Sequence, residues 1–131
     1  MTQQEFENAV RELRQRQKRF FRCRKDDPDR EIAIKLMRET EKVLRRVLDA
    51  NRPYCHPGNP KSKREEFFMV VDEMMQKQEI WMRNGGGSGY RYPAQEAEKM
   101  VDKWLNGFTE EHRKEEHRRK KQIEEMQPKL F

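Results

Sequence analysis

The sequence predicts an all-α protein of two related αα-hairpins that form a small bundle, followed by a charged C-terminal helical arm. Three observations lead to this fold class. Charged residues make up 41% of the 131 residues and hydrophobic residues only 33%, whereas an average globular domain has about 25% charged residues. Apolar residues recur at three- and four-residue steps, the spacing of one helix face. Finally, two parts of the chain repeat one another.

The internal repeat covers both helices of a hairpin. The matched segments are 4–22 with 65–83, at a shift of 61 positions, and 41–49 with 98–106, at a shift of 57. Phe6 recurs as Phe67, for example, and Gln17 recurs as Gln78. Because both members of a helix pair recur in order, we interpret the repeat as a duplicated αα-hairpin. Chance similarity between two amphipathic helices is the alternative.

The first helix of each hairpin begins at a capping box. Thr2-x-x-Glu5 opens the first hairpin and Ser62-x-x-Glu65 the second, and the side chains of such a box satisfy backbone N–H groups that lack a partner inside the helix. Packing the two halves together, or forming a homodimer, would bury one apolar stripe from each helix. The stripes are Phe6, Val10, Leu13 and Phe20 in the first helix, and Phe67, Val71, Met74 and Trp81 in the third.

Asp27-Pro28 predicts the start of the second helix. Aspartate is a favoured N-cap residue, and proline is favoured in the first helical turn. The helix that follows has one predicted apolar face. Its members are Ile32, Leu36, Val43, Leu44, Val47 and Leu48.

Proline and glycine divide the chain into parts. The predicted parts are a basic first hairpin (1–53), a second hairpin (54–107) and the charged arm (108–131). Pro53, Pro57 and Pro60 break the chain between the two hairpins. Residues 84–92, NGGGSGYRY, predict a flexible connector inside the second hairpin. This Gly-rich stretch is either an engineered linker or a native loop of the repeat.

The arm is a charged segment without an apolar stripe. Thr109 is its predicted N-cap, and oppositely charged residues four positions apart, such as Glu115 and Arg119, favour a helix. A helix over residues 109–126 would form a spacer about 27 Å long. A disordered tail is the alternative.

The residue types that carry catalysis do not form a recognisable site. His112 and His117 are five positions apart and would not face one metal ion on a helix. Cys55-His56 is a single adjacent pair, for which a loop is a better interpretation than a zinc site. No phosphate-binding or nucleophile motif occurs in the sequence. We therefore expect no enzymatic activity, no metal and no cofactor.

The cysteine content and the hydropathy pattern indicate the compartment. Two cysteines, Cys23 and Cys55, cannot build a disulfide framework. No stretch approaches the ~18–20 apolar residues of a membrane span. We therefore expect a cytoplasmic protein that does not enter a membrane.

Basic residues are concentrated in the first helix, where the segment from Arg11 to Lys25 holds eight Lys or Arg residues and one acidic residue. Five of these cations fall within a sector of ~80°, centred about 120° from the apolar stripe. The five, named here the basic row, are Arg11, Arg14, Lys18, Arg22 and Lys25. An exposed row of this kind predicts non-specific contact with nucleic-acid phosphates. A solubilising face is the alternative.

Residues 127–131, Gln-Pro-Lys-Leu-Phe, resemble a known docking motif. It is the Gln-x-x-Leu-Phe motif by which bacterial polymerases, repair proteins and many phage or plasmid proteins bind the sliding clamp of DNA polymerase III. In that family the glutamine hydrogen-bonds at the edge of a cleft and the Leu-Phe pair fills an apolar pocket. The resemblance implies these roles for Gln127, Leu130 and Phe131. Pro128 and Lys129 differ from the commoner residues of the motif.

The first hairpin also loosely resembles the short helical-hairpin proteins of phages and mobile elements. These features together predict a non-enzymatic accessory or adaptor protein of that type, acting near DNA replication or repair. The basic row would contact nucleic acid and residues 127–131 the clamp. The alternative is a helical protein–protein interaction module without nucleic acid, either a virion component or an inhibitor of a host system. Its working surface would be residues 67–82.

Overall fold

The computed structural model describes residues 2–51, 62–86 and 88–126, and these residues form four helices and no strand. The helices are α1 Gln3–Arg22, α2 Arg30–Asn51, α3 Lys63–Arg83 and α4 Ser88–Met126. α1 packs on α2 and α3 packs on α4, which confirms the predicted bundle of two αα-hairpins. None of the helices in the described ranges combines the length and the apolar character needed to cross a membrane.

The two hairpins share one apolar core near the start of α1 and the end of α2. Phe67 is fully buried there, and its ring contacts the rings of Phe6, Trp104 and Phe108. The stripe predicted for α1 is buried along its whole length. The stripe predicted for α3 is buried except at Trp81, which is half-buried.

Equivalent residues of the two repeats contact each other across the bundle. The rings of Phe6 and Phe67 lie 5.5 Å apart, centroid to centroid. Gln17 and Gln78 exchange two side-chain hydrogen bonds of 2.9 and 3.1 Å. A twofold axis along the bundle that relates α1 to α3 and α2 to α4 would bring such equivalents together. These contacts support the interpretation of a duplicated hairpin.

The helix starts follow the capping pattern of the sequence. Thr2 Oγ1 accepts a hydrogen bond from the Glu5 N–H, while the Glu5 carboxylate accepts one from the Thr2 N–H. Ser62 accepts the corresponding bond at the start of α3. The predicted start of α2 is slightly early. The Asp27 side chain accepts from the N–H of Asp29, and the helix begins one residue later.

The buried face of α2 differs from the predicted one. Ile32 and Val43 are about half exposed, at 55% and 50%. The Thr40 hydroxyl donates to the Leu36 carbonyl and accepts from Arg16, so burying it carries little cost. The helix therefore turns this polar position inward and leaves β-branched residues in solvent. The buried face consists of Ala33, Met37, Thr40, Leu44 and Leu48.

α4 starts earlier than the predicted connector allows. Only residues 84–87 separate it from α3, so more than half of the predicted flexible connector is helical. Gly85 and Gly86 have φ angles of 67° and 78°, which glycine adopts without strain, and they turn the chain after α3. Pro93 is the sixth residue of α4 and removes a single early backbone hydrogen bond.

The predicted arm is the continuation of α4 and not a separate helix. α4 passes through Thr109 without interruption. The Thr109 hydroxyl donates to the Leu105 carbonyl instead of capping a new helix. The predicted boundary at residue 108 therefore falls inside one continuous element.

Candidate functional site

The structure turns most of the basic row toward α4. Arg14 is only 6% exposed, and its Nε and Nη2 atoms donate to the two carboxylate oxygens of Asp102 at 2.9 and 3.1 Å. Lys18 Nζ lies 3.1 Å from the same carboxylate. Arg11 donates to the hydroxyl of Thr109. The prediction of an exposed row is therefore wrong for Arg14, which is buried, whereas Arg11 is partly buried and Lys18 stays exposed beside its ion pair.

The position of Arg14 explains its burial. It lies one helical turn beyond the buried Val10, at the edge of the apolar stripe, where a facing helix covers it. Asp102 on that helix supplies the charge that a buried guanidinium requires. Within the described residues, Arg22 and Lys25 are exposed and have no salt bridge. Since Lys25 lies beyond the end of α1, they do not form a continuous row.

Arg14 belongs to a buried polar layer that crosses the bundle. Gln17, which is 2% exposed, accepts from Arg14 Nη1 and exchanges hydrogen bonds with Gln78. Gln78 also donates to Glu98 at 2.9 Å, and a Glu98 oxygen lies 3.8 Å from Arg14. A fully hydrogen-bonded network of this kind fixes how the packed elements are arranged. The polar layer consists of Arg14, Gln17, Gln78, Glu98 and Asp102.

The polar layer makes stability depend on pH. Burial raises the pKa of Asp102, but the hydrogen bonds and charges of Arg14 and Lys18 outweigh this effect and hold the pKa below its ordinary value. A carboxylate whose pKa is lower in the folded than in the unfolded state stabilises the fold above its unfolded pKa. That contribution is lost as the pH falls through the folded pKa.

We therefore expect the free energy of unfolding to decrease as the pH is lowered from about 6 to about 3, and Asp102→Asn to weaken this dependence. Denaturant titrations at a series of pH values measure both effects. Glu116→Gln, at an exposed carboxylate on α4, is the control and should leave the pH dependence unchanged. An equally steep decrease in Asp102→Asn and in the parent chain would contradict this role of Asp102.

Beyond the polar layer, the bundle is open between α2 and α3. A cavity of about 380 Å³ lies there. The rings of Phe21 and Trp81 stack near its mouth, with centroids 6.1 Å apart. Phe20 and Met37 form a small cluster of their own, separate from the main core. This cavity, named the open groove, is lined by Phe20, Phe21, Ile34, Met37, Arg38, Glu41, Trp81 and Met82, together with polar residues near the polar layer.

The equivalent interface between α1 and α4 is bridged by the bonds of Arg14 and Lys18 to Asp102. Lys18 forms an ion pair with Asp102 in that interface. In the repeat, Glu79 is the equivalent of Lys18 and Arg45 is the equivalent of Asp102. These two residues also form an ion pair, of 3.2 Å and opposite polarity, between α2 and α3. The arginine of the polar layer is replaced by Met75 in the second repeat. The α2–α3 interface therefore lacks the counterpart of the hydrogen bonds between Arg14 and Asp102.

The open groove is the feature that the sequence analysis misses. In residues 67–82, the working surface of the alternative function, most large apolar side chains are buried or partly buried, and only the last turn of α3 exposes any. Those side chains are Ile80 and Met82. A signal does exist in the sequence, because Phe21 and Met82 are apolar residues outside the predicted stripes.

The last part of α4 projects from the bundle. Near the bundle surface, Glu111 lies 3.6 Å from Lys63 and His112 lies 3.4 Å from Glu7. Every residue from 110 to 126 is exposed. At 1.5 Å per residue, residues 113–126, named the projecting segment, extend about 21 Å. Gln127, Leu130 and Phe131 follow this segment and lie outside the described residues.

Neither metal ligands nor known relatives identify the site. No three His, Cys, Asp or Glu side chains converge on a possible metal position within the described ranges, and Cys55-His56 falls outside those ranges. No protein-family model, curated protein or solved structure matches the chain. Functional inference therefore depends on the open groove, the projecting segment and the motif at residues 127–131.

Proposed function

We propose that this protein is a non-enzymatic adaptor of phage or mobile-element type that docks on a bacterial sliding clamp near DNA replication or repair. Gln127 would set the register of the docked peptide, and Leu130 and Phe131 would fill an apolar pocket, as the motif implies. The observation that supports this proposal is the projecting segment, which leads directly into the motif.

The dimensions of the segment favour docking in trans. Residues 127–131 span at most ~18 Å when fully extended, whereas the projecting segment is about 21 Å long. With α4 helical, the helix that leads to the motif ends about 21 Å beyond His112, where α4 contacts Glu7 of the bundle. An extended peptide that docks into a partner's pocket needs this kind of access.

The double variant Leu130→Ala, Phe131→Ala should lose at least about 2 kcal/mol of clamp affinity, or roughly thirtyfold, because a few anchors dominate binding in small pockets. Surface plasmon resonance on immobilised, purified bacterial clamp measures the loss. Pro128→Ala, Lys129→Ala is the matched control, because it changes two neighbouring residues and keeps the motif. Thermal unfolding should be the same for all three chains. If the clamp retains the parent chain no better than the Leu130→Ala, Phe131→Ala variant, clamp docking is wrong.

For nucleic acid, the proposal is limited to Arg22 and Lys25, the two exposed members of the basic row that lack a salt bridge in the described chain. Each phosphate neutralised changes the logarithmic salt dependence of binding by about 0.9. Two contacts give a slope near −2, about a fifth of the slope that tight DNA-binding proteins show. We therefore expect weak, sequence-independent binding.

The open groove favours a second function, that of a helical protein–protein interaction module. Its volume of about 380 Å³ lies within the range of roughly 300–1,000 Å³ that is typical of binding pockets. Its mouth carries Phe21 and Met82, which are 54% and 61% exposed. Exposed aromatic and methionine side chains are enriched where proteins bind one another. An adaptor would use this groove for one partner and residues 127–131 for another.

A further inference from the structure

The open groove is long enough to contact about three turns of a helix. Its wall on α2 runs from Ile34 to Arg45, which is about 16 Å of helical rise. On the other side of the ion pair between Arg45 and Glu79, a separate cavity lies between α2 and α3, lined by Leu48, Met75 and polar residues. Both walls are helices, and the ridges of two helices form a groove into which a third helix packs.

The floor of the groove is apolar. Phe20 and Met37 lie on the first hairpin and Trp81 on the second, so a bound side chain would contact both halves of the protein. The buried indole nitrogen of Trp81 has no hydrogen-bond partner among the described residues. Large apolar anchors inserted into such a floor dominate the affinity of helix-in-groove complexes.

The charges of the groove are unequally partnered. Glu79 is held by Arg45 at 3.2 Å and by Arg83 at 2.7 Å, and Glu98 belongs to the polar layer. Glu41, which is half-buried, has no salt bridge in the part of the chain that the structure describes.

A partner's cation would be stabilised beside the Glu41 carboxylate. Burial raises its pKa, and the charges of Arg45 and Arg38 and the side chain of Gln17 offset only part of this effect. Arg45 already pairs with Glu79, and Arg38 is exposed at the rim. A cation placed beside the Glu41 carboxylate would compensate the cost of its burial.

We propose that the open groove binds an amphipathic helix of another protein, with apolar residues on the groove floor and a Lys or Arg that pairs with Glu41. Helices recognised in grooves carry apolar anchors at three- and four-residue steps. A charge pair beside these anchors selects the partner and fixes its orientation. This inference rests on the interaction-module function and is independent of clamp docking.

Selection from a displayed library of helical peptides, roughly 15 residues long, against the full chain tests the proposal. We expect the enriched peptides to combine the apolar spacing with a Lys or Arg at one fixed position. Glu41→Gln should weaken their binding by about tenfold or more. Glu41→Lys should select peptides with Asp or Glu at that position. Glu39→Gln, an exposed carboxylate on the same helix, is the matched control and should have no effect.

Two further variants locate the binding site. Trp81→Ala removes an aromatic side chain from the groove floor. Met82→Glu places a charge at the mouth without disturbing the core, because Met82 is exposed. Both should abolish peptide binding, and circular dichroism would verify that each variant is folded. Met82→Glu alone is decisive if Trp81→Ala does not fold.

Three results would overturn the inference. Peptides that require the groove but are indifferent to Glu41 would refute the charge pair and leave the interaction module standing. Peptides whose binding is unaffected by Met82→Glu would refute both the charge pair and the interaction module. Self-association of the chain that Met82→Glu abolishes would assign the groove to a second copy instead of another protein. Clamp binding through residues 127–131 would be unchanged in each case, so the two proposals fail separately.

Discussion

Replacing Phe67 with alanine should lower the free energy of unfolding by about 3–5 kcal/mol, the usual cost of truncating a buried aromatic residue. Phe67 is fully buried, and its ring contacts Phe6 from the first hairpin and Trp104 and Phe108 from α4. The truncation would therefore remove contacts both within the second hairpin and between the two hairpins. Denaturant unfolding monitored by circular dichroism measures the loss.

Phe21→Ala is the control for this prediction. Phe21 is 54% exposed at the mouth of the open groove, so its truncation should cost about 1 kcal/mol or less. The contrast tests where the core lies along the bundle. Equal losses in the two variants, or a larger loss at Phe21, would contradict a core centred on Phe67.

Arg14→Ala should cost about 2–4 kcal/mol of stability, because it removes the guanidinium that the buried side of Asp102 and the buried amide of Gln17 require. This loss of stability is smaller than that expected for a fully buried ion pair, because Asp102 is 26% exposed and keeps its ion pair with Lys18. Arg22→Ala changes the same residue type on the same helix. Arg22 is exposed, so the change should cost within about 0.5 kcal/mol.

The same pair of variants separates a structural from a nucleic-acid role. If Arg14 is part of the polar layer, Arg14→Ala destabilises the fold, and any DNA affinity that the folded chain has depends on Arg22 instead. Fluorescence anisotropy with labelled duplex DNA at low salt measures the affinity. An Arg14→Ala chain that is as stable as the parent but has lost DNA binding would restore the exposed basic row and contradict the buried layer.

Much of the fold follows from local rules of the sequence. Two local features could be predicted without tertiary information: the capping boxes at Thr2 and Ser62 and the apolar spacing of α1 and α3. Each depends only on residues within a few helical turns of each other. The face of α2 is different. Ile32 and Val43 are more apolar than Thr40, but Arg16 on α1 hydrogen-bonds Thr40 and makes its burial acceptable. The sequence of α2 alone cannot predict this hydrogen bond, because its donor lies on α1.

The candidate site is harder to predict because it arises between the hairpins. A helical projection of α1 places Arg14 on the surface. Its burial is explained only by Asp102, which lies 88 residues later in the chain and pairs with it. One signal was present: Gln17 interrupts an apolar stripe and recurs at the equivalent Gln78. A polar residue repeated inside two apolar stripes indicates a shared buried hydrogen bond. The signal for the open groove is weaker. It consists of Phe21 and Met82, equivalent apolar residues outside the predicted stripes, and of the replacement of Arg14 by Met75 in the second repeat.

The continuity of α4 is the central claim, because the projecting segment supports the adaptor function. Spin labels at Glu96→Cys and Lys120→Cys, in a chain whose Cys23 and Cys55 are replaced by serine, report the distance along α4 by double electron–electron resonance. Both positions are exposed. One continuous helix predicts a single narrow distribution that corresponds to a separation of about 36 Å along the helix axis. A broad distribution, or one centred well below that distance, would show that the arm bends or separates after Thr109 and would contradict the account.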